Sequence, residues 1–498
     1  MAGLATLRSM NTAAYKTIPP REIPLGWALV PVAALVAFLS FVLIVLPRFE
    51  PTYEGTGHVP LLAAAVVAAL VASRFGYGWD ALEAAITDAI KRAMPAVLIL
   101  MVIGMLMGTW IAGGIVPALV HWGLDLLSPT WFLPTACAVC SIVSVVSGSS
   151  WSTASTVGVA LIGIGNEMGI DPAMTAGAIV SGAYFGDKLS PMSDTTNLAP
   201  AMAGTSLFVH IRHQMYTTGP AWVIAMIGYT ILGMNLTPNV DAAASGGLQQ
   251  VLQANFHPGL LHLLPPTVVL LLVMRRVPAL PLLLVGATLG GVVAVVAEGA
   301  TVGQVFTVAL EGYTSATGDP KVDELLTRGG MFKMESTIFL VICAMAFGGI
   351  MEGTGMLRVI ASRLLESARS VGSLIATTVL TAFGLNVVAG DQYISIVVPG
   401  RMYARAYRER GLHGKNLSRA LEDGGTITSP LIPWNSCGHF MATTLLVSTG
   451  SYFMYAFLNL ANPLISMIYG FTGWTIVRIN PDEMEAEGEL ISDSPAVR

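Results

Sequence analysis

The segment GAYFGDKLSPMSDTTNLAPAMAGT, residues 182–205, sets Asp187, Lys188, Ser190, Ser193, Asp194, Thr195, Thr196 and Asn197 inside otherwise apolar sequence. The stretches on either side, Ala173 to Phe185 and Leu198 to Val209, read as helices, each too short to cross a bilayer alone. Together they predict one membrane span with a broken middle. Lipid cannot satisfy freed N–H and C=O groups, so such a break survives only where it is buried in protein or lines a wet cavity. Half-helices that end at the midplane aim their dipole ends at whatever lies between them, and paired carboxylates with hydroxyls offer a small hard cation its oxygen ligands.

Composition agrees with a membrane setting. Of 498 residues, 54% are hydrophobic and 11% charged, and the mean hydropathy is +0.69, outside the range of soluble domains. The expected class is an all-α polytopic membrane protein. The net charge of -5 decides little, because in such a protein the placement of Lys and Arg matters more than their sum. There is no basic footprint for nucleic acid. Cys137, Cys140, Cys343 and Cys437 lie in apolar segments, which argues against a disulfide framework, and the CxxC of Cys137 and Cys140 has no partner His or second Cys pair nearby. No cofactor is expected. The histidines show no metal spacing, and no Ser-His-Asp, phosphate-loop or zinc motif is present.

Taken in order, residues 1–25 form a polar segment, and the apolar run from Gly26 to Leu46 reads as a span rather than a signal peptide. His58 to Ser73 is a second span. Gly78 to Met94 carries apolar and charged residues at helical spacing and predicts an interfacial amphipathic helix, followed by a third span from Pro95 to Gly113. Thr130 to Val146 and Ser152 to Ile164 flank SGSSW (147–151) as a re-entrant hairpin. After the broken span comes Ala221 to Leu236, and residues 237–258, without Lys or Arg, read as an external linker. The second half repeats this plan. Leu260 to Met274 and Pro278 to Ala297 are spans, Val302 to Leu310 is a short amphipathic helix, and Glu335 to Gly353 overlies Pro95 to Gly113 at an offset of 240. Ser373 to Ala389 and Ile394 to Tyr407 flank AGDQ (389–392). GGTITSPLIPWNSCG (424–438) is a second break, whose Ser429-Pro430 overlies Ser190-Pro191 at an offset of 239, and Phe453 to Tyr469 closes the series. The expected organisation is two repeats of five spans, 26–236 and 259–470, each with a hairpin and a broken helix, followed by an acidic tail at 471–498.

Five crossings per half is odd, so the second half is expected to be inverted. With both termini inside the cytoplasmic membrane, the inner loops hold twenty Lys and Arg and the outer side four, Arg48, Lys321, Arg328 and Lys333. Lys188 is the one base left at membrane depth. Inverted repeats bring four irregular tips together: 147–151, 186–197, 389–392 and 426–436. A charge at that depth costs roughly 2.5–3.5 kcal/mol on insertion scales, so Asp187, Lys188, Asp194 and Asp391 need each other, an ion or a proton. Asp187 with Lys188 reads either as a structural pair or as part of an ion site, and Asp194 as the residue that takes a cation or proton. Asp391 reads as a ligand or as a helix cap. Asn386, Asn435 and Ser436 are neutral ligand candidates or helix-joining polar residues. Thr195, Thr196 and Asn197 follow Asp194 with their oxygens and N–H groups available. Glu422 and Asp423 read either as lying just before the second break or as solvated at the inner surface, and the surface reading is the one expected.

The motifs GAYFGDKLSPMSDTTNLAPA (182–201), SGSSWSTASTVGVALIGIG (147–165) and DGGTITSPLIPWNSCG (423–438) resemble those of the NhaC-type Na+/H+ antiporters, members of the ion transporter superfamily of inverted-repeat carriers. The resemblance runs from about residue 26 to 470. It implies antiport of Na+ for H+, a scaffold part and a transport part with elevator-like movement, and a homodimer in the bilayer. Residue by residue it points to Asp187, Ser190, Asp194, Thr195, Thr196, Asn197, Ser149, Ser150, Trp151 and Asn435, with Na+ at Asp194 and Asp187. The same family includes exchangers of malate and lactate coupled to Na+ and H+. For these, a small carboxylate would use Lys188 and the half-helix N-termini.

Overall fold

The computed structural model describes residues 21–49, 57–119, 128–236, 256, 259–275, 277–318, 323 and 326–479. The expected N-terminal segment, linker and acidic tail therefore lie largely outside the described residues. The first half opens with α1 (Leu25–Ser40), which continues through a wide turn, Phe41–Val45, to Phe49, and then α2 (His58–Arg74) and α3 (Trp79–Ala112). The first hairpin is α4 (Pro129–Ser147) and a returning arm, α5, that runs from Ser150–Thr153 through Ala154–Gly158 into Val159–Glu167. Next come α6 (Pro172–Leu189), α7 (Asp194–Ala203) and α8 (Leu207–Asn235). The second half contains α9 (Leu264–Met274), α10 (Ala279–Val296), α11 (Val302–Glu311), α12 (Glu335–Gly353), α13 (Met356–Glu366), α14 (Val371–Ala389) and α15 (Gln392–Glu409). It ends with α16 (Gly414–Gly424), α17 (Ser436–Leu445) and α18 (Phe457–Thr472).

Among the described residues, five helices are long and apolar enough to cross a membrane: Trp79–Ala112, Pro129–Ser147, Leu207–Asn235, Phe332–Gly353 and Val371–Ala389. Others carry the membrane signature in their faces. On α2, Val59, Leu62, Val66 and Leu70 are exposed at helical spacing, while Leu61, Ala64, Ala65, Ala68 and Ala72 are buried. Large apolar residues outside and small ones inside are the pattern of a helix that faces lipid and packs closely on protein.

Three expectations about element boundaries need correction. The amphipathic helix 78–94 and the third span are one helix, α3, about 51 Å long at 1.5 Å per residue. Pro95 removes one backbone hydrogen bond without ending the helix, and Arg92 in its polar part is paired with Glu352 of α12. The second half of the broken span stops at Ala203 instead of continuing to Val209, because Gly204 adopts a left-handed conformation (φ 67°) and Ser206 then starts α8. Arg212 and His213 consequently lie within α8, not in a loop. Finally, α13 and α16 are helices that span reading passed over, since both carry several charges.

The irregular tips recur with the same backbone geometry 242 positions apart. Gly148 (φ 69°, ψ 24°) and Gly390 (φ 65°, ψ 19°) end the descending arms of the two hairpins. Ser149 and Asp391, both extended, cap the returning arms with their side chains. Ser193 and Asn435 cap α7 and α17 in the same way, and each of those ten-residue helices ends at a left-handed residue, Gly204 or Leu446.

Close packing of the hairpin on the broken span depends on glycine. A methyl group at Gly182 would sit 2.3 Å from the Cys137 carbonyl oxygen, and one at Gly186 would sit 2.4 Å from Cβ of Ser144. These glycines, four apart on one face, let α6 lie directly on α4, and Ser144 Oγ donates to the Ala183 carbonyl across the contact at 2.5 Å.

Candidate functional site

The first break is held by its own short polar side chains. Ser193 Oγ accepts from the Thr196 N–H at 3.4 Å and lies 3.1 Å from Thr195 Oγ1, and Ser190 Oγ accepts from Met192 N–H at 3.2 Å. Thr196 Oγ1 donates to the carbonyls of Asp187 and Lys188 at 3.0 and 3.1 Å, adding to the Ser190 N–H on the first and helping to satisfy the carbonyls at the end of α6. Asn197 Nδ2 donates to the Pro191 and Ser193 carbonyls. These residues, expected as ligands, stabilise the break by hydrogen bonds that the backbone lost when the helix was interrupted.

Each hairpin tip rests on its own break. A methyl group at Gly148 would come within 2.5 Å of Met192 Cβ and 2.8 Å of the Met192 carbonyl carbon. Ser436 N–H donates to the Gly390 carbonyl at 2.9 Å. Gly148→Ala is therefore expected to lower the unfolding temperature more than Gly355→Ala, and to slow transport where Gly355→Ala does not. Gly355 also has positive φ, but nothing lies within 4 Å of its missing methyl, so it reports only the left-handed strain, about 1–2 kcal/mol. Thermal unfolding in detergent with a flux assay checks both statements.

Asp187, in the last turn of α6, is 4% exposed. Its Oδ2 accepts from Ser150 Oγ at 2.7 Å, at the start of the returning arm, where the helix dipole favours an anion. Its Oδ1 completes no hydrogen bond among the described residues, although the Ser193 hydroxyl lies beside the carboxylate. Lys188 does not pair with Asp187. It forms an ion pair with Asp423 of α16, and both side chains are fully buried. The same Asp423 oxygen also accepts from Thr217 Oγ1 at 3.1 Å and Asn462 Nδ2 at 2.6 Å, so α8 and α18 contribute to the pair. The expectation that Glu422 and Asp423 lie at the surface is overturned, because α16 is buried from Asn416 to Gly424. Arg419, expected in an inner loop, is 1% exposed and donates to Thr475 Oγ1 at 2.8 Å.

Asp194 occupies a different environment. It is exposed at the start of α7, accepts from the Thr195 N–H at 2.9 Å, and receives a hydrogen bond from the Tyr393 hydroxyl. Asp187 and Asp194 are near enough to interact electrostatically. Asp391 is a helix cap, accepting from Tyr393 and Ile394 N–H at 2.9 and 3.0 Å. Asn386 and Asn435 meet directly, with Asn435 Nδ2 donating to Asn386 Oδ1 at 3.2 Å, and Asn386 Nδ2 donates to Thr428 Oγ1 at 3.0 Å. Trp151 stacks on Phe440 of α17 with ring centroids 4.2 Å apart. The contacts that join the halves around the site include Lys188 and Thr217 to Asp423, Tyr393 to Asp194, and Trp151 to Phe440. The residues missed from sequence are Asp423, Glu422, Arg419, Tyr393, Thr217 and Asn462. One signal was available for the first two, since a lysine at membrane depth requires a counter-ion and two acids stand immediately before the second break.

An all-helical polytopic membrane protein whose charges are buried where interrupted helices meet belongs to the class of membrane carriers. The sequence profile of the Na+/H+ antiporter family matches residues 182–474. The chain is 38% identical over 454 residues to the Na+/H+ antiporter NhaC of Alkalihalophilus pseudofirmus, covering 91% of this chain and 96% of that one. It is 35% identical to the arginine/ornithine antiporter ArcD of Halobacterium salinarum (95% and 97% covered) and 37% identical to the malate-2H+/Na+-lactate antiporter of Bacillus subtilis (84% and 90%). This chain belongs to the Na+/H+ antiporter family, which is a family of transporters.

Proposed function

We propose that the protein is a secondary active transporter that exchanges Na+ for H+ across the cytoplasmic membrane by alternating access, with Asp187 as the carboxylate that takes the ion. The observation that carries this is the Asp187 side chain: buried, held by Ser150 on one oxygen and, among the described residues, without a hydrogen-bond partner on the other. A buried carboxylate in that state is costly unless a cation or a proton neutralises it. Asp194, exposed and bonded to Tyr393, stands at the mouth of the site and attracts the ion toward it. The recurrence of tip geometry at a spacing of 242 supports two repeats, 26–236 and 259–470. The reading of them as inverted, with both termini inside, rests on the Lys and Arg placement, and the hairpin and broken helix of each half then form an elevator-like transport part.

Organic-acid exchange coupled to Na+ or H+ is favoured by the likeness to the malate-2H+/Na+-lactate antiporter and by two Arg419 nitrogens, Nε and Nη2, that have no hydrogen-bond partner among the described residues. Against it, Lys188, the base expected to receive a carboxylate, is already paired with Asp423. The test is proton flux in proteoliposomes under an imposed pH gradient, with NaCl, malate, lactate, arginine and ornithine added in turn. Sodium alone is expected to dissipate the gradient. A gradient that persists until an organic substrate is present would replace this reading with the second.

A further inference from the structure

The proposed exchange uses Asp187, yet the buried charges around it do not balance without another group. Asp187, Glu422 and Asp423 are at most 4% exposed, as are Lys188 and Arg419. The ion pair of Lys188 with Asp423 brings their chain neighbours Asp187 and Glu422 into one buried region, close enough to interact electrostatically, with Arg419 one turn before Asp423. Three acids against two bases leave a surplus of one negative charge. Asp423 is accounted for by Lys188, Thr217 and Asn462, and Asp187 is half accounted for by Ser150. Glu422 is not, because neither of its oxygens has a hydrogen-bond partner among the described residues. Thr426, one turn further along, brings a buried hydroxyl beside Glu422 without completing a hydrogen bond to it.

We propose that Glu422 is a second ligand of the transported monovalent cation, contributed by the other half of the chain and acting with the unpartnered oxygen of Asp187. This rests on the Na+/H+ reading above and deepens it. The cation lies between a carboxylate of α6 and one of α16, with the Thr426 hydroxyl as a neutral oxygen ligand beside it. Because the surplus is a single charge, the site holds one Na+ or one H+ but not both, and exchange follows from that exclusion.

The test is radiosodium counterflow in proteoliposomes at equal pH on both sides, which needs sodium binding and translocation but no proton. Glu422→Gln is expected to raise the half-saturating sodium concentration by about tenfold or more, the scale of one lost charged contact. Glu422→Asp, which keeps the charge but withdraws the carboxylate, is expected to give a smaller rise, and the maximal rate at saturating sodium should fall less than the affinity. Unchanged half-saturation in both variants would overturn the proposal, and so would a change confined to Glu422→Gln, because that would mean that charge alone matters. Should Glu422→Gln not fold, Glu422→Asp decides the question by the same criterion. Wild-type protein without sodium counterflow would instead refute the Na+/H+ reading itself, before any variant is compared.

Discussion

Asp187→Asn is expected to abolish sodium-dependent proton movement, to about one hundredth of wild type or less, while the protein still inserts and purifies. The substitution keeps the shape of the side chain and its contact with Ser150 but removes the charge that the ion neutralises. Without that charge the cation loses the carboxylate proposed to take it directly, and on entering it would give up its hydration with only Glu422 to replace it. Asp194→Asn should be milder. Its carboxylate is exposed and its loss removes attraction at the entrance, so the expected effect is a raised half-saturating sodium concentration that shrinks as ionic strength increases. Measuring both variants at low and high salt separates the binding carboxylate from the one at the mouth. Equal and complete loss in both, independent of salt, would return Asp194 to the centre of the site.

What could be read from the residues and what could not divides along a physical line. Breaks in apolar sequence are local events, and Gly148, Gly390, Ser190-Pro191 and Ser429-Pro430 mark them because glycine and proline act on their own backbone. The span Glu335–Gly353 has the bounds that its hydropathy predicts. The partner of Lys188 lies 235 residues away and is chosen by the fold, so neither spacing nor composition reveals it. Helix α16 shows the same limit more sharply. Lys415, Arg419, Glu422 and Asp423 within eleven residues read as a solvated face, yet nine consecutive residues of it are buried, because α6, α8 and α18 bring Lys188, Thr217 and Asn462 to meet its charges. Asp194 and Asp187 look alike in sequence but differ in exposure, Asp187 being buried with Ser150 of the hairpin tip on one oxygen and Asp194 lying exposed at the start of α7. The continuity of α3 through Pro95 was hidden because a proline removes one backbone hydrogen bond without necessarily ending a helix, and Arg92 stays partly exposed where it pairs with Glu352.

The buried pair itself supplies the second large effect. Lys188→Met is expected to destabilise the protein by about 3–5 kcal/mol, the usual result of removing one partner from a buried ion pair. It leaves Asp187, Glu422 and Asp423 with only Arg419 opposing them, a surplus of two negative charges in place of one. Asp423→Asn works in the other direction. It leaves two acids facing two bases, and Glu422, which already interacts with Lys188, becomes the partner of the lysine. Its cost in stability should therefore be smaller than that of Lys188→Met, although sodium exchange should fall because the surplus charge is gone. The double variant Lys188→Met with Asp423→Asn restores a surplus of one. Its stability is expected to exceed that of Lys188→Met alone, a reversal that independent contributions from the two residues cannot produce. A double-mutant cycle of unfolding in detergent measures this, and additive losses would mean that charge balance does not govern the site. Recovery of some sodium counterflow in the double variant would show that the net charge of the buried group, more than the identity of the lysine, is what the transported ion answers to.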